Sequence, residues 1–353
     1  MRLRTARATR AFTLVELLLA LSLLSILVVA LVNLIDTSLR IWGRTESERD
    51  LVEVSSAVLE LLSSDLTSIE AGPRGDLLAD WTTVDLDRDA SPGTPMMRLR
   101  MVRRATEAEL YRLGDLGREH DLLEIAWALL PNSEGTPGEA GSIGLLFRGE
   151  RLVGADDTKS ILADDFFNAV GKPPAGSMSL VTGGILWFEL DFATQTSVVN
   201  DGWTVGDKPE DCATSWDAWV RGRPDVSRVF LNEPGAGMPA ADDLPILPRR
   251  VKIKMEVERI GDLKRRARLG TTVETEAVMI SIGDPDRAPV EGQMVLVDEE
   301  WMEVQAVSGT TLHVRRGARG TTPRQHDRGA VVHHGWEVER EVPIPLYRED
   351  WNL

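Results

Sequence analysis

The strongest pattern in the chain is an apolar run over residues 12–35, in which Glu16 is the only charged residue. About 20 apolar residues are enough for a helix to cross the hydrocarbon core of a bilayer. A secretory signal peptide has a shorter apolar region, of roughly 7–15 residues, followed by a cleavage site of small residues. Residues 33–36 offer no such site. The run therefore predicts a membrane-spanning helix.

From residue 36 to about residue 70 the pattern stays helical but becomes amphipathic. Apolar residues recur at steps of three and four, with charged residues between them. These apolar positions are Leu51, Val54, Val58, Leu61, Leu62, Leu66 and Ile69. No proline interrupts the stretch, and the Ala-Gly-Pro-Arg-Gly segment at 71–75 ends it. We predict one continuous helix over residues 12–70, whose second half needs a sheet to cover its apolar stripe.

Beyond residue 71 the pattern changes to strands separated by long loops. Apolar or alternating runs lie at 96–102, 122–129, 143–147, 150–153, 184–192 and 251–257. The run at 251–257 alternates most regularly, which is typical of a strand with one buried face. Arg148-Gly149 separates two of the runs and indicates a hairpin turn there. The chain is therefore predicted to be an α+β protein, with a long helix packed on an antiparallel sheet.

A second β-rich unit is predicted over residues 279–335. Two alternating runs flank Ser308-Gly309, a dipeptide that favours a turn between paired strands. The segment reads Glu-Trp-Met-x-Val at 300–304 and Val-x-Arg-Gly-x-x-Gly-Thr at 314–321, followed by His326. This pattern resembles a small β-module of phage-tail and other surface proteins. We interpret it as an inserted all-β meander, placed between the strand at 251–257 and a closing strand at 341–346. Such insertions are tolerated because loop-closure entropy grows slowly, by about 0.6 kcal/mol per doubling of length.

Several residues of this unit could bind a ligand. They are Arg315, Arg316, Arg319, Thr321, Thr322 and His326. One interpretation is a pocket for an anion or a glycan. The other is structural: the arginines pair with the nearby acids at 298–300 and 303, and the histidine satisfies a turn. The sequence favours the structural interpretation.

The N-terminus carries a recognisable motif. Four arginines and no acidic residue precede the apolar run, and the segment 11–16 reads Ala-Phe-Thr-Leu-Val-Glu. This resembles the prepilin signal of type IV pilins and type II secretion pseudopilins. The resemblance implies cleavage by prepilin peptidase between Ala11 and Phe12, N-methylation of Phe12, and pairing of Glu16 with the amine of a neighbouring subunit. A lone carboxylate in a membrane helix needs such a partner, since it costs about 3 kcal/mol at the bilayer centre.

The order of the later elements resembles the minor pseudopilin J of type II secretion. A Leu-Pro-x-x-Val pattern at 247–251 precedes the alternating strand, and an aliphatic-proline pattern lies in the closing strand. The resemblance implies five segments. These are a basic leader (1–11), the transmembrane half of the helix (12–35), its amphipathic half (36–70), a pilin-like globular domain (71–278 with 336–353) and the inserted β-module (279–335).

The same resemblance implies a structural role at the tip of a type II secretion pseudopilus. The partners would be the major pseudopilin, other minor pseudopilins, prepilin peptidase and the inner membrane. The arginine-rich leader would stay in the cytoplasm, which places the globular domain in the periplasm. Two alternatives remain: a minor pilin of a type IV pilus, serving assembly, adhesion or DNA uptake, and a membrane-tethered binding module.

Composition and motifs limit the other function classes. The formal net charge is −16, which argues against a broad nucleic-acid-binding surface. Cys212 is the single cysteine, so the chain has no intramolecular disulfide. The segment 85–96 begins like a calcium loop but has Ala90 and Met96 where glycine and glutamate are needed. No hydrolase, metalloprotease or phosphate-binding motif occurs. We therefore expect no enzyme, no catalytic residue, no metal and no cofactor.

Overall fold

The structure is a computed structural model. It describes residues 14–84, 93–113, 121–130, 144–154, 159–168, 171–193, 215–219, 245, 247–248, 250–258 and 266–344. Contacts within the chain divide it into two compact units, residues 1–52 and 53–353. In fold class the described part is a long N-terminal helix followed by large antiparallel sheets.

Helix α1 (Leu14–Thr67) has 54 residues and confirms the predicted continuous helix. It contains a 22-residue segment, Leu17–Ser38, with a mean hydropathy of 2.8, and this segment is long and apolar enough to cross a membrane. The most hydrophobic window of this segment has no buried residue, as a lipid-facing helix would require. The helix ends three residues before the predicted boundary, because the backbone of 68–70 bonds to a strand instead: Glu70 N donates to Val102 O at 3.0 Å.

The part of α1 after residue 52 belongs to the second unit and buries one face. Val58, Leu62 and Leu66 are buried, as the predicted stripe requires. Val54 and Leu61 also belong to that stripe but remain about 40% exposed. The buried face of the helix is therefore narrower than the sequence pattern predicted.

The first sheet has eight strands, and all its pairings are antiparallel. Its strands are β1 (Leu77–Val84), β2 (Thr94–Arg104), β3 (Leu122–Leu130), β4 (Gly144–Leu152), β5 (Met178–Ala193), β6 (Trp216–Asp217), β7 (Arg250–Val257) and, much later in the chain, β14 (Trp336–Pro343). Their order is β14-β7-β5-β4-β3-β2-β1-β6. A short helix, α2 (Glu107–Arg112), follows β2. The strands predicted at 96–102, 122–129, 184–192 and 251–257 are confirmed.

The hairpin predicted at Arg148-Gly149 is wrong, because β4 runs straight through both residues. Gly149 lies opposite Ala126 of β3 on one side and Met178 of β5 on the other. A Cβ atom at Gly149 would lie 2.9 Å from Met178 Cγ and 3.0 Å from Ser177 O. The glycine therefore permits a close approach of β5 and does not form a turn.

The second sheet has six strands, which all lie between β7 and β14 in the chain. They are β8 (Ala267–Arg268), β9 (Met279–Ser281), β10 (Met294–Val297), β11 (Glu300–Ser308), β12 (Thr311–Ala318) and β13 (Val331–His333), in the order β8-β13-β10-β11-β12-β9. The turn predicted at Ser308-Gly309 is confirmed, with Gly309 at φ 60°. Only β10, β11 and β12 form a simple meander. β13 pairs with the outer side of β10, and β9 pairs with the outer side of β12. The sheet also includes Ala267–Arg268, before the predicted start of the module at residue 279.

The two strands that flank this second sheet pair with each other. Val251 of β7 lies opposite Val342 of β14, and Val257 lies opposite Trp336. The predicted closing strand is thus present, but it begins at Trp336, five residues earlier than expected, and residues 345–346 lie outside the described residues. The second sheet has an apolar interior of its own, built from residues such as Ile280, Val295 and Val304.

Candidate functional site

The residues of the N-terminal motif lie at the start of the chain. Ala11 and Phe12 are outside the described residues. Glu16 is the third residue of α1 as described, and its side chain is not among those described. The helix after it presents an exposed apolar surface, with Leu17, Leu18 and Leu19 each more than half exposed. An exposed apolar helix surface therefore follows Glu16, the residue predicted to take part in assembly.

A buried carboxylate fastens the amphipathic half of α1 to the first sheet. Asp65 is 1% exposed and accepts a hydrogen bond from Trp127 Nε1 at 2.8 Å. The guanidinium of Arg148 donates to both of its oxygens, each at 2.8 Å, and Arg103 Nε lies 2.8 Å from Oδ1. Asp65 was not predicted as a site residue from the sequence. The available signal was its position on the apolar stripe, three residues after Leu62.

The arginines flagged in the second sheet are all paired with carboxylates. Arg315 pairs with Glu303, and Arg316 donates two hydrogen bonds of 2.6 Å to Glu300. This agrees with the structural interpretation rather than with a free anion pocket. Arg319 differs, because its partner is Glu256 of β7 at 2.7 Å and not a nearby acid.

Arg319 connects the two sheets. Its guanidinium carbon lies 4.7 Å from the ring centroid of Trp187 in β5 and 4.1 Å from that of Trp301 in β11. These are cation–π distances. Arg319 has a φ of 53°, which places it in the left-handed region within the turn that follows β12. The turn thus directs the Arg319 side chain onto the first sheet. There, burial raises the pKa of Glu256, and the charge of Arg319 partly opposes that rise.

Thr321, Thr322 and Arg315 have different surroundings. Thr321 accepts a hydrogen bond from Trp301 N at 3.0 Å, which is a structural role. Thr322, Arg315 and Arg316 line a concavity of about 740 Å³, together with Thr275 and other residues. The donors of Arg316 are engaged by Glu300 and by backbone carbonyls, including Ala277 O at 3.1 Å. Arg316 therefore forms part of the wall of the concavity, and its donors are not available to a ligand there.

His326 is buried between two carboxylates. Its Nδ1 lies 2.6 Å from Asp298 Oδ2, and its Nε2 lies 2.8 Å from Glu300 Oε2. Burial by itself lowers the pKa of His326, but the hydrogen bonds that its ring donates to the two carboxylates outweigh this effect, and the pKa is raised. Only the imidazolium form carries a proton on both ring nitrogens, so only that form can donate both hydrogen bonds. Burial raises the pKa of Glu300, but hydrogen bonds from Arg316 and His326 outweigh this effect and lower the pKa to about 2. Glu300 therefore stays ionised.

This geometry predicts a pH dependence of stability. A raised folded-state pKa stabilises the protein fully below the unfolded value, about 6.5, and the contribution is lost as pH rises through the folded pKa. The thermal unfolding midpoint should therefore fall as pH rises above about 6.5. His326→Gln should remove that slope, whereas the control His313→Gln, at an exposed position of β12, should retain it. Equal slopes in the two variants would contradict the assignment.

Three positions bear on metal or thiol chemistry: the calcium-like segment, Cys212 and the buried histidine His333. The segment 85–90 and Cys212 lie outside the described residues. His333 is buried in β13, and its Nδ1 lies 2.7 Å from Glu258 Oε2. Within the described ranges there is no group of three or more His, Cys, Asp or Glu side chains that could hold a metal ion.

Comparison with known proteins gives one match. Residues 6–32 match the family model described as the prokaryotic N-terminal methylation motif. No curated protein and no solved structure matches the chain. The matched residues include the Ala11-Phe12 junction, Glu16 and the first part of the exposed apolar helix. The motif and the helix together support a type IV pilin-like or pseudopilin-like protein that is anchored in a membrane.

Proposed function

We propose that this protein is a minor pseudopilin at the tip of a type II secretion pseudopilus. The observation that carries the proposal is the methylation motif at the head of an exposed apolar helix. The chain order of β5, β7 and β14 adds support, because the sequence patterns of these strands resemble those of the J-type subunit. The large globular part also suits a tip position, where a subunit need not repeat along the fibre. No catalytic activity and no cofactor form part of this proposal.

The mechanism rests on the helix. Prepilin peptidase removes residues 1–11, and the new amine of Phe12 is methylated. Glu16 then pairs with the amine of a neighbouring subunit within the inner membrane, so that neither charge is left alone in hydrocarbon. The apolar surfaces of adjacent helices pack together, and the globular domains remain in the periplasm. The partners are other minor pseudopilins and the major pseudopilin.

The test of this proposal is the mature N-terminus. Intact-mass measurement of the membrane-purified protein should give a chain that begins at Phe12 and carries one added methyl group. The matched control is expression without prepilin peptidase, where the chain should keep residues 1–11. A chain cut after the apolar run, or one that keeps Met1 when the peptidase is present, would reject the prepilin assignment.

A minor pilin of a type IV pilus is the alternative, since the same motif serves both systems. Genes for neighbouring pseudopilins and a secretin beside this one would favour secretion. Crosslinking to a major pilin of a retractable fibre would favour the alternative. The strong net negative charge argues against direct contact with DNA in either case.

A further inference from the structure

Strand β14 differs from the other edge strands of the two sheets. In the described part of the chain the sheet edges are β14, β6, β8 and β9. The last three have only two or three residues, whereas β14 has eight. Short edge strands are one way in which proteins prevent unwanted pairing. Among the described strands, the outer edge of β14 is therefore the one long row of main-chain donors and acceptors that pairs with no other strand, and it ends at Pro343, which has no N–H.

The charges beside two positions of this edge, Glu339 and Glu341, follow a regular order, whereas Glu337 lies opposite Glu256 of β7. Two rows of residues cross β5, β7 and β14 in register: Glu189, Lys254 and Glu339, and then Asp191, Lys252 and Glu341. Each row runs acid, base, acid. Lys254 Nζ lies 2.7 Å from Asp191 Oδ2, and Glu341 accepts a hydrogen bond of 2.7 Å from Arg250. Residues that face each other across two strands stabilise the pairing when their charges have opposite signs. A further strand that continued the order would therefore be basic.

The acidic face is complete along β14. Glu337, Glu339 and Glu341 alternate along the strand, so they share one face, and all three are exposed. Glu339 makes no hydrogen bond or ion pair to another described residue. A second copy of β14 in the same register would oppose carboxylates with carboxylates, which is destabilising. The edge thus disfavours its own copy and favours a strand with positive charges.

We propose that β14 is a docking edge for an extended polypeptide segment that has lysine or arginine at alternate positions. The segment adds to the sheet beside β14, where main-chain hydrogen bonds supply affinity and the three glutamates supply selectivity. The other face of the added strand lies beside Val338, Arg340 and Val342. Arg340 is paired with Glu60, and the two valines accept aliphatic residues. This proposal is independent of the role of the N-terminal helix.

The test uses the full-length protein in a neutral detergent. The probe is a capped heptapeptide that alternates lysine and valine. We expect saturable binding at low salt, weakening as salt rises, with slower hydrogen exchange over residues 336–342. The double variant Glu337→Lys with Glu339→Lys should weaken binding about tenfold or more, since two cross-strand charge pairs are lost. The same variant should gain binding to a peptide that alternates glutamate and valine.

Two controls separate strand addition from simple charge attraction. Glu291→Lys with Asp327→Lys makes the same change in net charge at exposed turns of the second sheet, and its affinity should stay within about twofold of the wild type, since surface charges far from the site are screened. A lysine-valine peptide that is N-methylated at alternate residues keeps its charge but loses main-chain donors, and it should not bind. Equal binding of the methylated peptide, unchanged exchange over 336–342, or absence of binding at low salt would overturn the proposal. None of these results would alter the mass of the mature N-terminus.

Discussion

Glu16→Ala is expected to abolish assembly while leaving cleavage and membrane insertion intact. The variant keeps the Ala11-Phe12 junction and makes the helix more apolar, so processing and insertion have no reason to fail. The neighbouring amine, however, loses its only proposed partner in hydrocarbon. At about 3 kcal/mol per unpaired charge, the association constant should fall on the order of a hundredfold. Crosslinking to other pseudopilins, measured beside an intact-mass assay for Phe12, gives the readout.

The matched control is Leu18→Ala, a truncation two residues later on the same exposed apolar helix. It removes apolar area but no charge, and assembly should be retained. Glu16→Gln keeps the size of the side chain and should fail as Glu16→Ala does. Normal crosslinking in either Glu16 variant would show that the carboxylate does not pair with an amine.

Asp65→Ala should destabilise the globular part by about 3 kcal/mol or more. The substitution leaves Arg148 and Arg103 facing a buried space without their shared carboxylate, and breaking a buried ion pair typically costs about 3–5 kcal/mol. It also leaves Trp127 Nε1 without its acceptor. The remaining bonds of these arginines to Glu150 and Glu109 reduce the loss but do not remove it. Chemical denaturation monitored by tryptophan fluorescence would measure the change.

Glu60→Ala is the control for this prediction. Glu60 lies on the same helix and pairs with Arg340 at 2.7 Å, but its side chain is 72% exposed. Exposed ion pairs contribute about 0.2–1 kcal/mol, so this variant should lose less than about 1 kcal/mol. Similar losses in both variants would show that Asp65 does not hold the helix onto the sheet.

The long helix and four strands of the first sheet could be predicted because each is a continuous apolar or alternating run; β3, for example, is buried at eight of its nine positions. Other elements could not be predicted, whatever their length. β1 reads Leu-Leu-Ala-Asp-Trp-Thr-Thr-Val, which does not alternate, and its Asp80 is buried only because Arg98 and Arg100 of β2 lie beside it. α2 has six residues and no buried side chain, and it depends on the capping box between Thr106 and Glu109. Such elements depend on neighbours that are remote in sequence or on side-chain geometry.

The arginines of the second sheet likewise show what local sequence can and cannot predict. The local acids predicted that these arginines would be paired, and the structure agrees. The partner of Arg319 could not be predicted, because Glu256 lies in β7, in the other sheet. The turn predicted at Gly149 was wrong for a similar reason. A glycine that allows two strands to approach closely has the same local sequence pattern as a glycine in a turn.

By itself, the sequence determined the membrane-spanning length of the helix, the methylation motif and the alternation of β7, because each depends on residues adjacent in the chain. The tertiary structure alone decided which charges are buried together, how the second sheet contacts the first through Arg319, and which strand is left at the edge. These features depend on distance in space. Trp127 Nε1, for example, lies 2.8 Å from Asp65 Oδ2. The two residues belong to a strand and a helix that are far apart in the chain, so no local sequence pattern predicts their contact. Pairing energy is set by distance and burial, and neither can be read from spacing along the chain.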